Sequence, residues 1–321
     1  MESFQNKLKS GLTDGMNKGW SGFVWMIKIL VPISFLSMLL DYSGWINKID
    51  FLLEPAMSLM SLPPVAALPL IVGMLTGIYG GVASMLMLPL STEHKTLIAI
   101  FLLISHNLIQ EGMIQGKSGI HPLKATLFRV TASVVTVVIV AQFLAPESAA
   151  FVTKSASASA TVPFMMLLKS WCIETVWLSV KIFVIILCLM MLLGIMKSFD
   201  AVRHIAKLLT PVLKLMGLDP QVGILWLTAG IFGISYGAAV IVEEVKEGNL
   251  TDEELTRLHF SIGINHAMIE DPVLFLPLGI HPFWLWIPRI AAAVIAVRLL
   301  RLWQRVKKHG ESYKLDQESV K

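Results

Sequence analysis

Two stretches decide how this chain is read: Ser105-His106-Asn107-Leu108-Ile109-Gln110-Glu111-Gly112 and Asn265-His266-Ala267-Met268-Ile269-Glu270-Asp271-Pro272. Each sets a polar cluster in the middle of an apolar run, residues 97–115 and 258–280. They correspond at an offset of 160: His106 meets His266, Gln110-Glu111 meets Glu270-Asp271, and Gly112 meets Pro272. The register carries on downstream, where Gly119-Ile120-His121-Pro122 meets Gly279-Ile280-His281-Pro282 and Arg129 and Arg289 each follow the histidine by eight residues. Upstream the offset becomes 156, pairing Gly77-Ile78-Tyr79-Gly80-Gly81 with Gly233-Ile234-Ser235-Tyr236-Gly237, and Leu52-Leu53-Glu54-Pro55 with Leu208-Leu209-Thr210-Pro211. Chance likeness between apolar segments would not keep polar residues, glycines and prolines in one order. The chain is an internal repeat.

The surrounding composition says where such a repeat lives. Of 321 residues, 55% are hydrophobic and 15% charged, whereas soluble domains carry about 25% charged residues. A membrane helix needs roughly 20 mainly apolar residues, and residues 20–40, 125–144, 176–196 and 283–303 supply four clear candidates. The first starts near Trp20 with no small-residue cleavage site behind it, so it is expected to be a retained span and not a signal peptide. Charged amphipathic stretches at 46–62 and 202–218 suit helices lying on the membrane surface. The net charge of +4 gathers in basic clusters beside apolar segments, at Lys7, Lys9 and Lys18, at Arg203, Lys207 and Lys214, and from Arg298 to Lys308. Without aromatic interleaving these suit a cytoplasmic membrane face better than a nucleic-acid site. Cys172 and Cys188 are isolated, which gives neither a disulfide framework nor a CxxC metal site.

The expected plan is an all-α integral membrane protein: a cytoplasmic segment 1–19, a first repeat 20–146, an Ala/Ser-rich linker 147–163, a second repeat 164–304 and a cytoplasmic tail 305–321. Each repeat would hold a span, an amphipathic interfacial helix, a Gly-rich hairpin, a broken helix and a final span. If the glycine-bearing runs 65–90 and 221–242 crossed fully, each half would cross four times and the basic loop 197–214 would face away from the basic N-terminus. As re-entrant hairpins they leave three crossings per half and put every basic segment, with Lys117 and Lys124, on the cytoplasmic side. Irregular backbone at membrane depth is tolerated where protein or a cavity shields it. The expectation is therefore two inverted-topology repeats with both termini inside, and hairpin tips at Gly77, Tyr79, Gly80 and Gly81 and at Gly233, Ser235, Tyr236 and Gly237.

On a helix His106 and Gln110 share a face, as do Asn107 and Glu111, and in the second copy His266 and Glu270. Ionisable groups near the bilayer midplane are costly unless paired or hydrated, which makes such a cluster a functional site by default. The competing reading, helix ends at the water interface, is weakened because the cluster recurs mid-run in both copies. The substrate- or ion-binding set is accordingly His106, Asn107, Gln110, Glu111, Asn265, His266, Glu270 and Asp271. Were a metal bound, His106, His266, Glu270 and Asp271 would be the ligand types for it. His121 and His281, between Gly-Ile and Pro, read as turns at helix starts. Arg129 and Arg289 either pair with midplane carboxylates or snorkel, and snorkelling or pairing also accounts for Lys28 and Lys181. There is no HExxH, Gly-x-Ser-x-Gly or Walker motif, so an enzyme is not expected.

Paired copies of an amphipathic helix, a Gly-rich hairpin, a polar broken helix and a Gly-x-His-Pro turn resemble the Gate, or nucleoside-recognition, domain family. That family takes in spore maturation proteins A and B and the membrane part of ferrous-iron transport protein B, and is similar in architecture to the concentrative nucleoside transporters. The resemblance implies a bacterial cytoplasmic membrane, a homo-oligomer, and an elevator-like mobile unit whose binding site is built by hairpin tips and broken helices of both repeats. It differs from the nucleoside transporters in lacking extra N-terminal scaffold spans and in being richer in histidine and acid at the site. No GTPase segment accompanies it. The expected function is a secondary transporter of a small polar solute, such as a nucleoside, with no cofactor beyond a coupling proton or sodium ion. The rivals are a divalent-metal permease and a non-transporting membrane scaffold or maturation factor.

Overall fold

Apolar runs too long for a soluble core helix become the long helices of the computed structural model, which describes residues 4–43, 53–86, 88–144, 163–199, 211, 213, 215–218, 222–246 and 250–319. Within these the chain is helical, with no strand. Helix α1 (Phe4–Tyr42) is followed by a short helix α2 (Leu53–Leu59), which meets the segment Pro64–Thr76 at 89°. Then come α3 (Ala67–Thr76), α4 (Ile78–Leu86), α5 (Thr92–Ser105), α6 (Leu108–Lys117) and α7 (Pro122–Leu144). The second half holds α8 (Phe164–Ser198), α9 (Gly223–Phe232), α10 (Ile234–Lys246), α11 (Asp252–Ile264), the four-residue α12 (Glu270–Val273) and α13 (Pro282–Ser319). Residues 147–162 of the linker, 46–52 of the first amphipathic stretch, 202–210, 212 and 214 of the second, and the side chains of Lys181, Ser235 and Tyr236 lie outside the described residues.

Three described segments are long and apolar enough to cross a membrane: Thr92–Lys117, Pro122–Leu144 and Pro282–Lys307. Their polarity is arranged inside out relative to a soluble bundle. On α7, Leu127, Val135, Ile139 and Phe143 are exposed while Arg129, Ser133 and Thr136 are buried. On α13, Ile287, Ile295, Leu299 and Leu302 are exposed while Arg289 is fully buried. An apolar surface around a polar interior is what a lipid solvent demands, because ionisable groups must face the bundle. The chain is a multi-pass membrane protein.

In both halves a glycine reverses the chain between two short helices. Gly77 ends α3 at φ 99°, ψ 179°, and Gly233 ends α9 at φ 88°, ψ 168°, a region that is essentially glycine-only. The arms then touch: a methyl placed on Gly81 would meet Gly73 Cα and Pro69 O at 3.3 Å, and one on Gly237 would meet Ala229 Cα at 2.7 Å. Gly77 and Gly233 thus form the turns themselves, whereas Gly80, Gly81 and Gly237 lie inside the following helices, and Gly81 and Gly237 let the arms close. Leu102 of α5 packs into the small-residue face of the first hairpin, lying 2.4 Å and 2.5 Å from methyls placed on Gly73 and Gly81.

Helices α5 and α11 run through the middle. Leu97 to Ile100 and Leu102 to Ser105 are wholly buried, as are Leu258, Ile262 and Ile264. The halves interlock around them, with Phe128 stacked on Phe260 at 3.7 Å, Gln115 Nε2 donating to His259 O at 3.2 Å, and His259 Nε2 within 3.0 Å of Ser118 O. At the periphery α1 packs along α8. Phe4 lies on Phe199, Gly11 against Ile195, Trp20 on Phe183, Ser34 Oγ accepts from Trp171 Nε1, and Tyr42 lies on Phe164. Rising numbers on one helix meet falling numbers on the other, so the first helices of the two halves are antiparallel.

Candidate functional site

The polar clusters sit where α5 and α11 break. His106 leaves the helix in an extended conformation (φ −77°, ψ 161°) and Asn107 takes up the left-handed region (φ 49°, ψ 40°), which asparagine tolerates better than most residues. Helix α6 then restarts at Leu108. In the second copy the break spans Asn265 to Ile269, with Ala267 at φ 44°. The continuation there is only the four-residue α12 and a 3-10 turn, Leu276–Leu278, because Pro272 and Pro277 cannot donate in a long helix. Each break is tied to its own hairpin. Gly73 O accepts from both Gly77 N and Asn107 N, and Ala229 O accepts from both Gly233 N and Ala267 N.

A broken helix leaves carbonyls without partners, and a buried arginine meets them in each half. Arg129 donates from Nε to Ile104 O (2.8 Å) and from Nη2 to His106 O (2.9 Å). Arg289 does the same to Ile264 O (3.2 Å from Nε) and His266 O (2.9 Å from Nη2). Cationic guanidinium at the negative end of a helix is also favourable for the dipole. The arrangement departs from symmetry in one respect. Arg129 Nη1 pairs with Glu111 Oε2 at 2.6 Å, whereas the described ion pairs include none between Arg289 and Asp271; in neither half do these facing atoms make a hydrogen bond of good geometry. Aspartate is one methylene shorter than the glutamate at the equivalent place. It lies instead 3.5 Å from His106 Nε2.

The two halves meet at the histidines, whose rings are 4.9 Å apart. His106 Nε2 is 3.3 Å from Glu111 Oε1, and His266 Nε2 is 3.4 Å from Glu111 Oε2. The Nδ1 atoms face main-chain carbonyls one turn back, Leu102 O at 2.9 Å and Ile262 O at 3.1 Å. His106, Glu111, His266 and Asp271 are all less than 9% exposed. Asn265, next to His266 in the chain, is fully buried, and both its side-chain polar atoms lack a hydrogen-bond partner among the described residues.

The remaining site candidates have other hydrogen-bond partners. Glu270 accepts from Tyr79 Oη at 3.1 Å, which joins the first hairpin to the second broken helix. Asn107 and Gln110 are bonded to each other at 3.0 Å. With Lys28, Leu75, Thr76 and Met113 they line an open pocket of about 510 Å³ beside the Gly77 turn. His121 and His281 are exposed at the starts of α7 and α13, with His281 Nδ1 accepting from Phe283 N. The Tyr79–Glu270 bond was illegible in sequence because neither copy alone carries both partners. The arginines were legible in position from their constant distance past the Gly-x-His-Pro turn, though not in partner.

Residues 23–146 match the family model described as Gate, nucleoside recognition. Over 301 residues the chain is 25% identical to the uncharacterized membrane protein YvoD of Bacillus subtilis (strain 168), which covers 93% of this chain and 95% of that one. No solved structure matches. The first broken helix, its hairpin and its arginine all fall inside the matched segment, so the first half of this membrane protein is similar to the Gate, nucleoside-recognition, family.

Proposed function

We propose that the chain is a secondary transporter of a small polar solute, built from two inverted-topology repeats in the bacterial cytoplasmic membrane, with both termini on the cytoplasmic side. The observation that carries this reading is the buried centre to which each half contributes a histidine and an acid from a broken helix braced by its own glycine hairpin. Transporters hold substrate and coupling ion where discontinuous helices of two repeats converge. The antiparallel packing of α1 on α8 supports the inverted relation, since equivalent helices of such repeats run in opposite senses. The division of labour follows from exposure. The open pocket with Asn107, Gln110 and Lys28 offers amide and ammonium groups to a nucleoside-sized solute, and the closed His/acid centre seats a coupling cation. Backbone ties from the hairpins to the breaks let each hairpin and its broken helix move as one body, which suits an elevator-like step.

The test is thermal unfolding of the detergent-purified chain against a panel of nucleosides and nucleobases, with chelator present, for wild type and Gln110→Ala. A solute that binds only the folded state raises stability by about 2.7 kcal/mol at a hundredfold excess over its Kd, and the shift shrinks in the variant. Uptake of the same solute into proteoliposomes completes the case. Absence of both a shift and uptake across the panel overturns the reading in favour of a scaffold.

A further inference from the structure

The chemistry of the buried centre is unbalanced in a way that names its cation. Carbonyl oxygens only accept hydrogen bonds, so the contacts of His106 Nδ1 with Leu102 O and of His266 Nδ1 with Ile262 O place the ring proton of each neutral imidazole on Nδ1. Both Nε2 lone pairs then point into the centre. What they face there are further lone pairs: Glu111 Oε1 and Asp271 Oδ2 lie 3.3 Å and 3.5 Å from His106 Nε2, and Glu111 Oε2 lies 3.4 Å from His266 Nε2. His266 Nε2 and Asp271 Oδ2 have no hydrogen-bond partner among the described residues. Acceptors converging on one buried point need either a shared proton or a bound metal ion between them.

We propose that this point is a binding site for a divalent transition-metal ion, held by His106 Nε2, His266 Nε2 and an Asp271 carboxylate oxygen, with Glu111 completing the set. The three donor atoms lie within 4.8 Å of one another. Drawing them onto an ion with bonds of about 2.0–2.1 Å needs side-chain shifts of less than about 1 Å. Separations of 3.3–3.5 Å between the histidine nitrogens and the carboxylate oxygens of Glu111 and Asp271 are close to the edge of a tetrahedron with such bonds, about 3.3 Å. The supporting contacts are those of metal-bound histidines, whose second ring nitrogen commonly donates to a backbone carbonyl. Arg129 grips Glu111 from outside at 2.6 Å and orients it, while its Nε and Nη2 donate to the carbonyls of Ile104 and His106. Two imidazoles with carboxylate select zinc, iron, cobalt or nickel ions over magnesium and calcium. Because His106 and Glu111 come from the first half and His266 and Asp271 from the second, one ion would fasten the halves together. This identification rests on the reading above only in taking the centre as the seat of a cation.

The experiment uses the untagged full-length chain in detergent, stripped with chelator, titrated with Zn²⁺ by calorimetry and with Co²⁺ as a visible-absorption probe. The expected result is one ion per chain and a cobalt d–d band, with affinity lowered at least tenfold in Asp271→Asn and in His266→Gln. A variant lacking both exposed histidines, His121→Ala/His281→Ala, keeps wild-type affinity, and excess Mg²⁺ does not displace the ion. Wild-type protein that binds neither ion overturns the proposal, as does binding unchanged in both site variants or abolished by the surface variant. The wild-type and surface-variant results decide even where a site variant fails to fold. The solute measurement is made with chelator present, so failure of either result leaves the other standing.

Discussion

Arg129 and Arg289 occupy equivalent places yet hold different partners, and this separates what each contributes. Arg129 meets both carbonyls of a broken helix and the Glu111 carboxylate; Arg289 meets the carbonyls alone among the described contacts. Removing one partner of a buried ion pair leaves an uncompensated charge and costs about 3–5 kcal/mol. Leaving buried carbonyls unpaired costs about 1–3 kcal/mol. Both variants lose the carbonyl bonds, so Arg129→Met is expected to destabilise the protein more than Arg289→Met by about the ion-pair cost, roughly 3–5 kcal/mol, read as the difference in thermal unfolding in detergent. Combining Arg129→Met with Glu111→Leu recovers part of the loss, since a buried pair replaced together by apolar groups is near neutral. Equal costs for the two arginines would mean that the Arg129–Glu111 pair contributes nothing. The pattern of Gly-x-His-Pro followed by arginine marked both positions in the sequence. The partner depends on one methylene in an acid 18 residues away, Glu111 for Arg129 and Asp271 for Arg289, which periodicity does not register.

The hairpins and broken helices form one device, because a single carbonyl in each half, Gly73 O or Ala229 O, accepts from the hairpin turn and from the helix break. Distorting the turn must therefore disturb the site. Gly77→Ala and Gly233→Ala each force an L side chain to φ near +90° and are expected to cost about 1–3 kcal/mol. Their destabilisation should come with weakened ligand binding, measured on the same samples by thermal shift. The break itself offers the opposite test. Ala267 stands at φ 44° where a residue with a Cβ carries about 1–2 kcal/mol of strain, so Ala267→Gly should raise stability by about 1 kcal/mol. No gain would mean that the alanine conformation is relaxed by its surroundings. Glycine clustering at matched places was enough to expect hairpins. It could not say which glycine turns the chain and which merely lets the arms touch, since both needs are met by the same missing side chain.

Across the whole molecule the antiparallel pairing of α1 with α8 is the feature on which the inverted arrangement leans, and it can be checked in the membrane. With Cys172 and Cys188 changed to serine, cysteines replacing Phe4 and Phe199, or Tyr42 and Phe164, should be joined within one chain by a short bis-maleimide, because these rings are 5.1 Å and 5.4 Å apart. A pair at Phe4 and Phe164 should not be joined, since α1 is 39 residues long and about 58 Å separates its ends. Cross-linking of that last pair would show parallel packing and remove the main support for inversion.

That this is a membrane protein made of two related halves, with polar breaks in otherwise apolar helices, was readable from the residues alone. Hydropathy and the order of glycines, prolines and histidines are local properties, and a lipid solvent makes them decisive. Which polar groups meet was not readable. His106 and His266 are 160 residues apart, and Glu270, expected among the ligand types, is held by Tyr79 while Glu111 turns toward both histidines. Those choices depend on side-chain length and on how the two halves pack, and both are settled only when α5 and α11 are brought side by side.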